Sequence, residues 1–432
     1  MRVLWLSDSP TARTGFGVVA KNLIDNICSI MGDRIEIDVI GINFQSDKPL
    51  QYNKQTTVYD GEVDGNTMDA FCRSFFLNVL RHDPQGYDGI FILQDFSVVS
   101  AMIPHLQEIK KERLQTNKKN FKSILYVPVD GYVHKQVVLQ IERDISDRHN
   151  IKLWGIDFFD TVVTYNDYGK EQILRHIPDM RSKLKAIPHG CNFKDFFPIP
   201  KDEIKAFRDG YFGANADKII FINVNRNQPR KDIPSTILSF VELKKIWNLE
   251  RKPFLYLHMN RKDPMGHDLD SVFAQTDLVE GEDYMMAPDH FYSIDKEAGK
   301  AGCDTAMLNK IYNASDIFIT TTLGEGWSIT VTDSMATRVP VICPYHTSFL
   351  FISGGGTRAY LLRELYPYCS HLDNTIREQV NIYETAEVML SAAKQMLDGS
   401  DKPMVEKAEA FIRTLDWKGI SNKFVELFEK TF

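Results

Sequence analysis

Cysteine is sparse and unpatterned in this chain. Six residues (Cys28, Cys72, Cys191, Cys303, Cys343 and Cys369) are scattered over 432 positions, with no CxxC pair and no histidines at zinc spacing. That distribution speaks against a disulfide framework and against a structural zinc site. Also missing is any apolar run near the roughly 18–20 residues that a helix needs to cross a bilayer. The first residues read as a strand followed by Asp8 and Arg13, unlike a secretory leader. Cations are in deficit: 51 Lys and Arg stand against 58 Asp and Glu, for a net charge of -7. Such a balance argues against a dedicated polyanion binder and leaves room only for a local basic patch. No fixed-period repeat or low-complexity segment is present. What these absences leave is a soluble, cytoplasmic protein. Its length and 43% hydrophobic content suffice for two or three domains with full cores.

Short apolar runs alternate with amphipathic stretches. In the first half the strand-like runs are Val3–Leu6, Ile35–Ile40, Gly89–Leu93, Ile124–Val129, Thr161–Thr164 and Leu184–Ile187. Helical patterns at Val18–Ile27, Met68–Leu80, Val98–Lys111 and Tyr168–His176 separate them. This βαβ rhythm predicts a mostly parallel sheet with helices on both faces. It pauses over 188–204, where Pro198 and Pro200 mark a linker. It then restarts with runs at Ile219–Val224, Phe254–Met259, Ile317–Thr322 and Val339–Cys343, and helical patterns at Ser235–Trp247, Leu308–Ala314 and Val331–Ala336. The expected architecture is α/β, two Rossmann-like doubly wound domains facing a central cleft. They span 1–195 and 196–416, with a final amphipathic helix over 417–432.

Three constellations carry chemistry. In LWLSDSPTARTGFGVVAKNL a strand gives way to a polar loop, and a helix opens at Gly15, Phe16 and Gly17. Glycines there let backbone approach a ligand, and helix N-terminal amides favour an anion. The spacing does not meet a dinucleotide fingerprint. In FINVNRNQPRKDIPSTILSF, Arg226, Arg230 and Lys231 cluster beyond a buried strand. An Arg fork and a mobile Lys at that edge suit a diphosphate; a solvated loop with Asp232 as a helix cap is the plainer alternative. In TTTLGEGWSITVTDSMATRVPVIC, Glu325 and Asp333 stand eight positions apart, two helical turns, so on one helix they share a face. Paired acids beside Gly326, Trp327 and Ser328 suit a polyhydroxylated ligand, one accepting from sugar hydroxyls and the other from a ribose.

Taken together, nearly the whole chain resembles retaining, nucleotide-sugar-dependent glycosyltransferases of the GT-B type, similar to glycosyltransferase family four. Thr14-Gly15-Phe16-Gly17 resembles the family's N-terminal glycine loop at the donor phosphate. Ile187-Pro188-His189-Gly190-Cys191-Asn192 with Phe197-Pro198 resembles the segment between its domains. Arg226 and Lys231 match the family's diphosphate-holding pair. Leu308–Asp316 leading into Glu325 resembles the stretch before its E-x7-E motif, with Asp333, one methylene shorter, in the place of the second Glu. Leu415-Asp416-Trp417 and the last helix resemble the segment that crosses back to the first domain. Trp327, Ser328 and Arg338 depart from the family's usual Phe-Gly and Gly.

The resemblance implies transfer from a UDP- or GDP-sugar, with no tightly bound cofactor and no required metal. Glu325 would contact the donor sugar and Asp333 the ribose. Asp130 and His134, beyond the strand in ILYVPVDGYVHK, are further catalytic candidates. Asp268-Leu269-Asp270 is the one candidate for a metal-dependent DxD arrangement, although it lies in a polar loop. Acceptors in the family include glycans, lipids, proteins and small molecules, and the RNQPRK and TGFG forms resemble viral and phage enzymes, which adds hydroxymethylated DNA. Lys110, Lys111, Arg113, Lys118, Lys119 and Lys122 are read either as a solvated helix end or as a contact for an anionic acceptor. Two other classes stay open: a nucleotide-sugar epimerase of the same fold, and a non-catalytic binding module for sugar nucleotides or nucleic acid.

Overall fold

The computed structural model describes residues 1–61, 69, 71–133, 139–143, 151–292, 294–295, 300–301, 303–370 and 375–432. The chain divides into two compact units, 1–190 with 417–432, and 191–416. No helix among the described residues is long and apolar enough to cross a membrane.

The first unit is built on β1 (Arg2–Asp8), β2 (Glu36–Ile42), β3 (Leu50–Asn53), β4 (Thr56–Asp60), β5 (Gly89–Leu93) and β6 (Lys122–Val127). A separate antiparallel hairpin, β7 (Leu139–Arg143) and β8 (Ile151–Gly155), is followed by β9 (Thr161–Thr164) and β10 (Leu184–Ala186). The eight-stranded sheet runs β10-β9-β6-β5-β1-β2-β4-β3, and every pairing is parallel except that of β3 with β4. Its helices are α1 (Gly15–Met31), α2 (Arg73–His82), α3 (Phe96–Ser100), α4 (Ile103–Gln115) and α5 (Asp167–Leu174).

Strand residues alternate between two cores. Leu4, Leu6, Ile90, Ile92, Leu125 and Val127 share one cluster with Phe76, Val99 and Leu106 of the helices. Trp5, Phe91 and Tyr126 point the other way.

The second unit carries α6 (Lys201–Phe212), β11 (Ile219–Val224), α7 (Ile233–Ile246), β12 (Pro253–His258), α8 (Leu269–Phe273) and β13 (Tyr284–Met286). After the short pair β14 (Ile294–Asp295) and β15 (Lys300–Ala301) come α9 (Thr305–Asn313), β16 (Ile317–Ile319), α10 (Ile329–Ala336), β17 (Val341–Pro344), α11 (Phe349–Ile352) and β18 (Tyr360–Leu362). A hairpin of β19 (Leu365–Cys369) and β20 (Ile376–Val380) precedes α12 (Ile382–Asp398) and α13 (Lys402–Arg413). The parallel sheet runs β13-β12-β11-β16-β17-β18. Counted along the chain within that sheet, this is the 3-2-1-4-5-6 order of a doubly wound nucleotide-binding fold, with its switch point between β11 and β16. With the antiparallel β3 set aside, the parallel strands of the first unit follow the same order around β1 and β5, with β10 added at the far edge.

The last helix, α14 (Trp417–Thr431), belongs to the first unit. Its Phe424 and Phe428 rings lie 5.8 and 5.4 Å from Phe91.

Candidate active site

The sequence places cations after β11 and an acid after β16, the two strands that flank the switch point of the second unit. All six residues of β11 are buried, and the chain leaves the strand through Asn225 into a 3-10 turn, Pro229–Lys231. Asp232 then adopts a left-handed conformation (φ 47°) before α7 begins. That conformation is costly for a side chain with a Cβ. Asp232 is held by hydrogen bonds that its buried carboxylate accepts from Ser235 Oγ at 2.6 Å and Gln379 Nε2 at 3.1 Å. Its carbonyl also accepts from Thr321 Oγ1 at 2.8 Å, which ties the turn to the chain after β16.

Glu325 is 4% exposed and sits between two of the cations. Lys231 Nζ donates to its Oε1, and Arg230 Nη1 stands 3.0 Å from its Oε2. Burial alone would raise the Glu325 pKa, but the charges of Lys231 and Arg230 outweigh it and hold the carboxyl below the ordinary range. The backbone is fixed as firmly. Leu323 N–H donates to the Arg230 carbonyl at 2.8 Å, Arg230 Nη1 donates to Gly324 O at 2.8 Å, and Glu325 N–H donates to Thr347 Oγ1 at 3.1 Å. The result is a preformed acid–base triad at the carboxyl ends of β11 and β16, where open α/β sheets bind ligands.

Arg226 does not join this triad. It is 57% exposed at the side chain, and its guanidinium forks onto Asp263, Nε to Oδ2 at 2.5 Å and Nη2 to Oδ1 at 3.2 Å. Arg230 takes the place beside Lys231 instead. The helical argument for Glu325 and Asp333 also needs correcting. Glu325 lies in the loop four residues before α10 begins at Ile329, so it is not on the helix of Asp333 and the two acids have different surroundings.

Asp333 is 6% exposed, and no described residue donates a hydrogen bond to its carboxyl. Burial, reinforced by Asp195, raises its pKa well above the usual range. A raised acid contributes stability below its unfolded pKa and loses it as pH rises through the folded value. Asp333→Asn is therefore expected to match the parent melting temperature only below about pH 4 and to exceed it by a growing margin as pH rises toward 8. A difference that stays constant across that range would show that the carboxyl is not titrating in its buried setting.

Trp327 is buried, with its ring 6.0 Å from Phe351. Ser328 is buried at the start of α10 and makes no side-chain cap to that helix. Gly326 lies between them and the triad.

In the first unit, Thr14 caps α1 by accepting from Gly17 N–H at 3.0 Å and donates its own proton to Asp8. A Cβ on Gly17 would meet the Ala12 carbonyl at 2.3 Å, so close packing of the loop already explains this glycine. Gly15 and Phe16 form the first turn of α1. Asp130 is half-buried beyond the end of β6, and His134 lies outside the described residues.

The DxD carboxylates are engaged locally. Asp268 caps α8 through Ser271 N–H at 3.2 Å, and Asp270 pairs with Arg261 at 3.0 Å. No cluster of three or more metal-ligating side chains occurs among the described residues.

The basic stretch is largely neutralised, which favours its reading as a solvated helix end over that as a contact for an anionic acceptor. Lys110 and Lys122 pair with Asp160 at 3.3 and 3.1 Å, Lys119 pairs with Asp88 at 2.6 Å, and Arg113 is buried against the carbonyls of Leu80 and Lys119. Lys111 and Lys118 alone of the six enter none of these contacts.

Sequence reading missed Asp263, Gln379, Thr347 and His346. The His346 ring is buried beside Glu325, with Nδ1 3.0 Å from Thr347 Oγ1, and burial lowers its pKa to about 4. Its signal was the polar PYHTS run directly after the apolar strand VPVIC.

Solved structures of similar fold cover the whole chain. A sucrose-phosphate synthase from Thermosynechococcus elongatus superimposes with a TM-score of 0.67 at 14% identity, covering 100% of this chain and 98% of that one. The Anabaena protein HepE, solved with UDP and glucose, gives 0.64 at 12% identity over the full length of both. The fold is GT-B. Within that GT-B chain the triad stands in the second Rossmann-like unit. A probable sucrose-phosphate synthase from Thermosipho melanesiensis is 21% identical over 338 residues, 72% of this chain and 66% of that protein. No family model matches the chain.

Proposed function

We propose that this GT-B protein is a retaining glycosyltransferase of the family-four kind, moving a sugar from a nucleoside diphosphate sugar to an acceptor hydroxyl. The observation that carries the reading is the convergence of Lys231, Arg230 and Glu325 at the switch point of the second unit. Lys231 and Arg230 would stabilise the charge that develops on the departing diphosphate, which is electrostatic catalysis by preorganised groups. Glu325, already fixed by its cations and by Thr347, would receive hydroxyls of the donor sugar. Asp333, an acid with no donor among the described residues, would accept from the ribose. The Gly15–Gly17 turn is read as the first unit's contribution at the donor phosphate, and Asp130 and His134 as its contributions to the reacting centre. No metal enters this scheme. The UDP in the HepE structure favours UDP over GDP as the donor base.

UDP at a hundredfold excess over its dissociation constant should stabilise the second unit by about 2.7 kcal/mol. For a unit of this size that is a rise of roughly 5–10 °C in melting temperature. Incubation with a UDP-sugar and an acceptor panel, followed by mass spectrometry, should then show transfer. Absence of any thermal response to UDP and GDP alike would sink the donor-site assignment. The anomeric configuration of the product, read by NMR, tests retention separately.

A further inference from the structure

The cations that the fold assembles differ from those that the sequence groups. Lys170, Arg181, Lys185, Lys423 and Lys430 line one open cavity of about 440 Å³ in the first unit, between α5, the strand β10 and the last helix α14. None of the five is in an ion pair among the described residues. This contrasts with Lys110, Lys119 and Lys122, each matched to an aspartate. Lys423 and Lys430 are seven residues apart on α14, two turns, so they face the cavity as a ladder. A second cavity of about 480 Å³ shares Lys170 and Arg181 and adds Arg175. Lys185 stands on β10, the edge of the sheet, where a lone lysine serves to block further strand pairing. Edge protection explains that one residue but not the convergence of four others from three elements.

The walls define the ligand further. Leu184, Ile187 and Leu427 give the cavity a buried aliphatic floor, and Asp167 and Glu426 stand among the cations. Carboxylates repel a continuous phosphate backbone but accept hydrogen bonds from hydroxyls, while lysine and arginine take phosphate. No large hydrophobic side chain is exposed at the rim to anchor in a bilayer. We propose that this cavity is a binding site for a small phosphorylated polyol, held by its phosphate on Lys170, Arg181, Lys185, Lys423 and Lys430 and by its hydroxyls on Asp167 and Glu426. The volume lies within the ordinary range for small-molecule sites. The site does not depend on the transferase reading, because every residue that lines it belongs to the first unit and its readout is binding.

The test is calorimetric titration of the full chain at low salt with sorbitol 6-phosphate, sorbitol and inorganic phosphate. Sorbitol 6-phosphate should bind more tightly than phosphate, and sorbitol should not register. Lys185→Glu combined with Lys423→Glu alters two exposed side chains and should weaken binding at least about tenfold. Lys231→Ala and saturating UDP should leave it unchanged. Equal binding by the double variant, displacement by UDP, or phosphate binding as tightly as its polyol ester would each overturn the proposal. Tighter binding of a single-stranded oligonucleotide than of sorbitol 6-phosphate would overturn it too, in favour of a polyanion track.

Discussion

Lys231→Ala is expected to lower kcat/KM for sugar transfer by about 100- to 1,000-fold, the range found when one preorganised charge-stabilising group is removed from an active site. The basis is local. Lys231 is 14% exposed at the side chain, sits at the switch-point end of β11 and makes its charged contact with Glu325. In the variant Glu325 keeps Arg230 at 3.0 Å but loses its closest cation. A buried carboxylate deprived of one of two partners costs about 2 kcal/mol, so the melting temperature should fall as well. The pH dependence separates the two effects. Glu325 has a depressed pKa, so its contribution to stability is present above the unfolded carboxyl pKa and lost as pH falls through the folded value. Without Lys231 that depression shrinks, and acid unfolding should begin at a higher pH than in the parent. Adding Glu325→Gln should restore part of the stability and none of the activity, since the uncompensated charge is then gone. Arg226→Ala, at an exposed side chain paired with Asp263, should cost much less of both. A Lys231→Ala enzyme within threefold of the parent in kcat/KM would end the claim that this lysine meets the diphosphate.

How much of this was legible in the sequence follows from range. The central strands of both sheets are continuous apolar runs between helical patterns, so β1, β5, β6, β11 and β12 stand where the runs stand. The hairpins β7–β8 and β19–β20 were not seen, because LQIER and IREQV carry more polar than apolar residues and pair only locally. The pattern Val98–Lys111 looked like one helix but is broken. Pro104 has no N–H and its ring crowds the carbonyl four residues back, so α4 restarts at Ile103 with the proline in its first turn. Site residues were readable where each sits in a local motif of its own, as Lys231 and Glu325 do 94 positions apart, and hidden where a residue is marked only by a distant partner. Lys231 and Glu325 were both picked out, but the fork of Arg226 onto Asp263 spans 37 positions and the clasp of Gln379 on Asp232 spans 147. The same holds for Lys110 and Lys122, whose neutralising Asp160 lies in the bend before β9, 50 and 38 positions away. A run of lysines shows charge density, whereas only the fold shows which charges are already matched.

Removing residues 417–432 should unfold the first unit and leave the second standing, the largest effect expected of any change considered. Trp417, Ile420, Phe424, Leu427 and Phe428 of α14 are all at most 8% exposed. Phe424 lies 4.9 Å from Tyr126 and 5.8 Å from Phe91, which itself lies 4.0 Å from Trp5, so the helix completes an aromatic cluster on that face of the sheet. At about 1.5–3 kcal/mol for each large apolar side chain, these five contribute roughly 8–15 kcal/mol. That is comparable to the whole stability of an ordinary domain, about 5–15 kcal/mol. Gly89 shows how closely the chain terminus is seated, because a Cβ there would stand 2.2 Å from the Phe432 ring. Phe428→Ala alone should cost about 3–5 kcal/mol. The second unit has its own core, in which Phe221, Phe240, Leu257 and Ile319 are fully buried and to which no residue of α14 belongs. Calorimetry of residues 1–416 should therefore show one transition lost and one kept, with the surviving transition still raised by UDP. Two transitions within a few degrees of the parent would mean that the sheet of the first unit closes its core without the last helix.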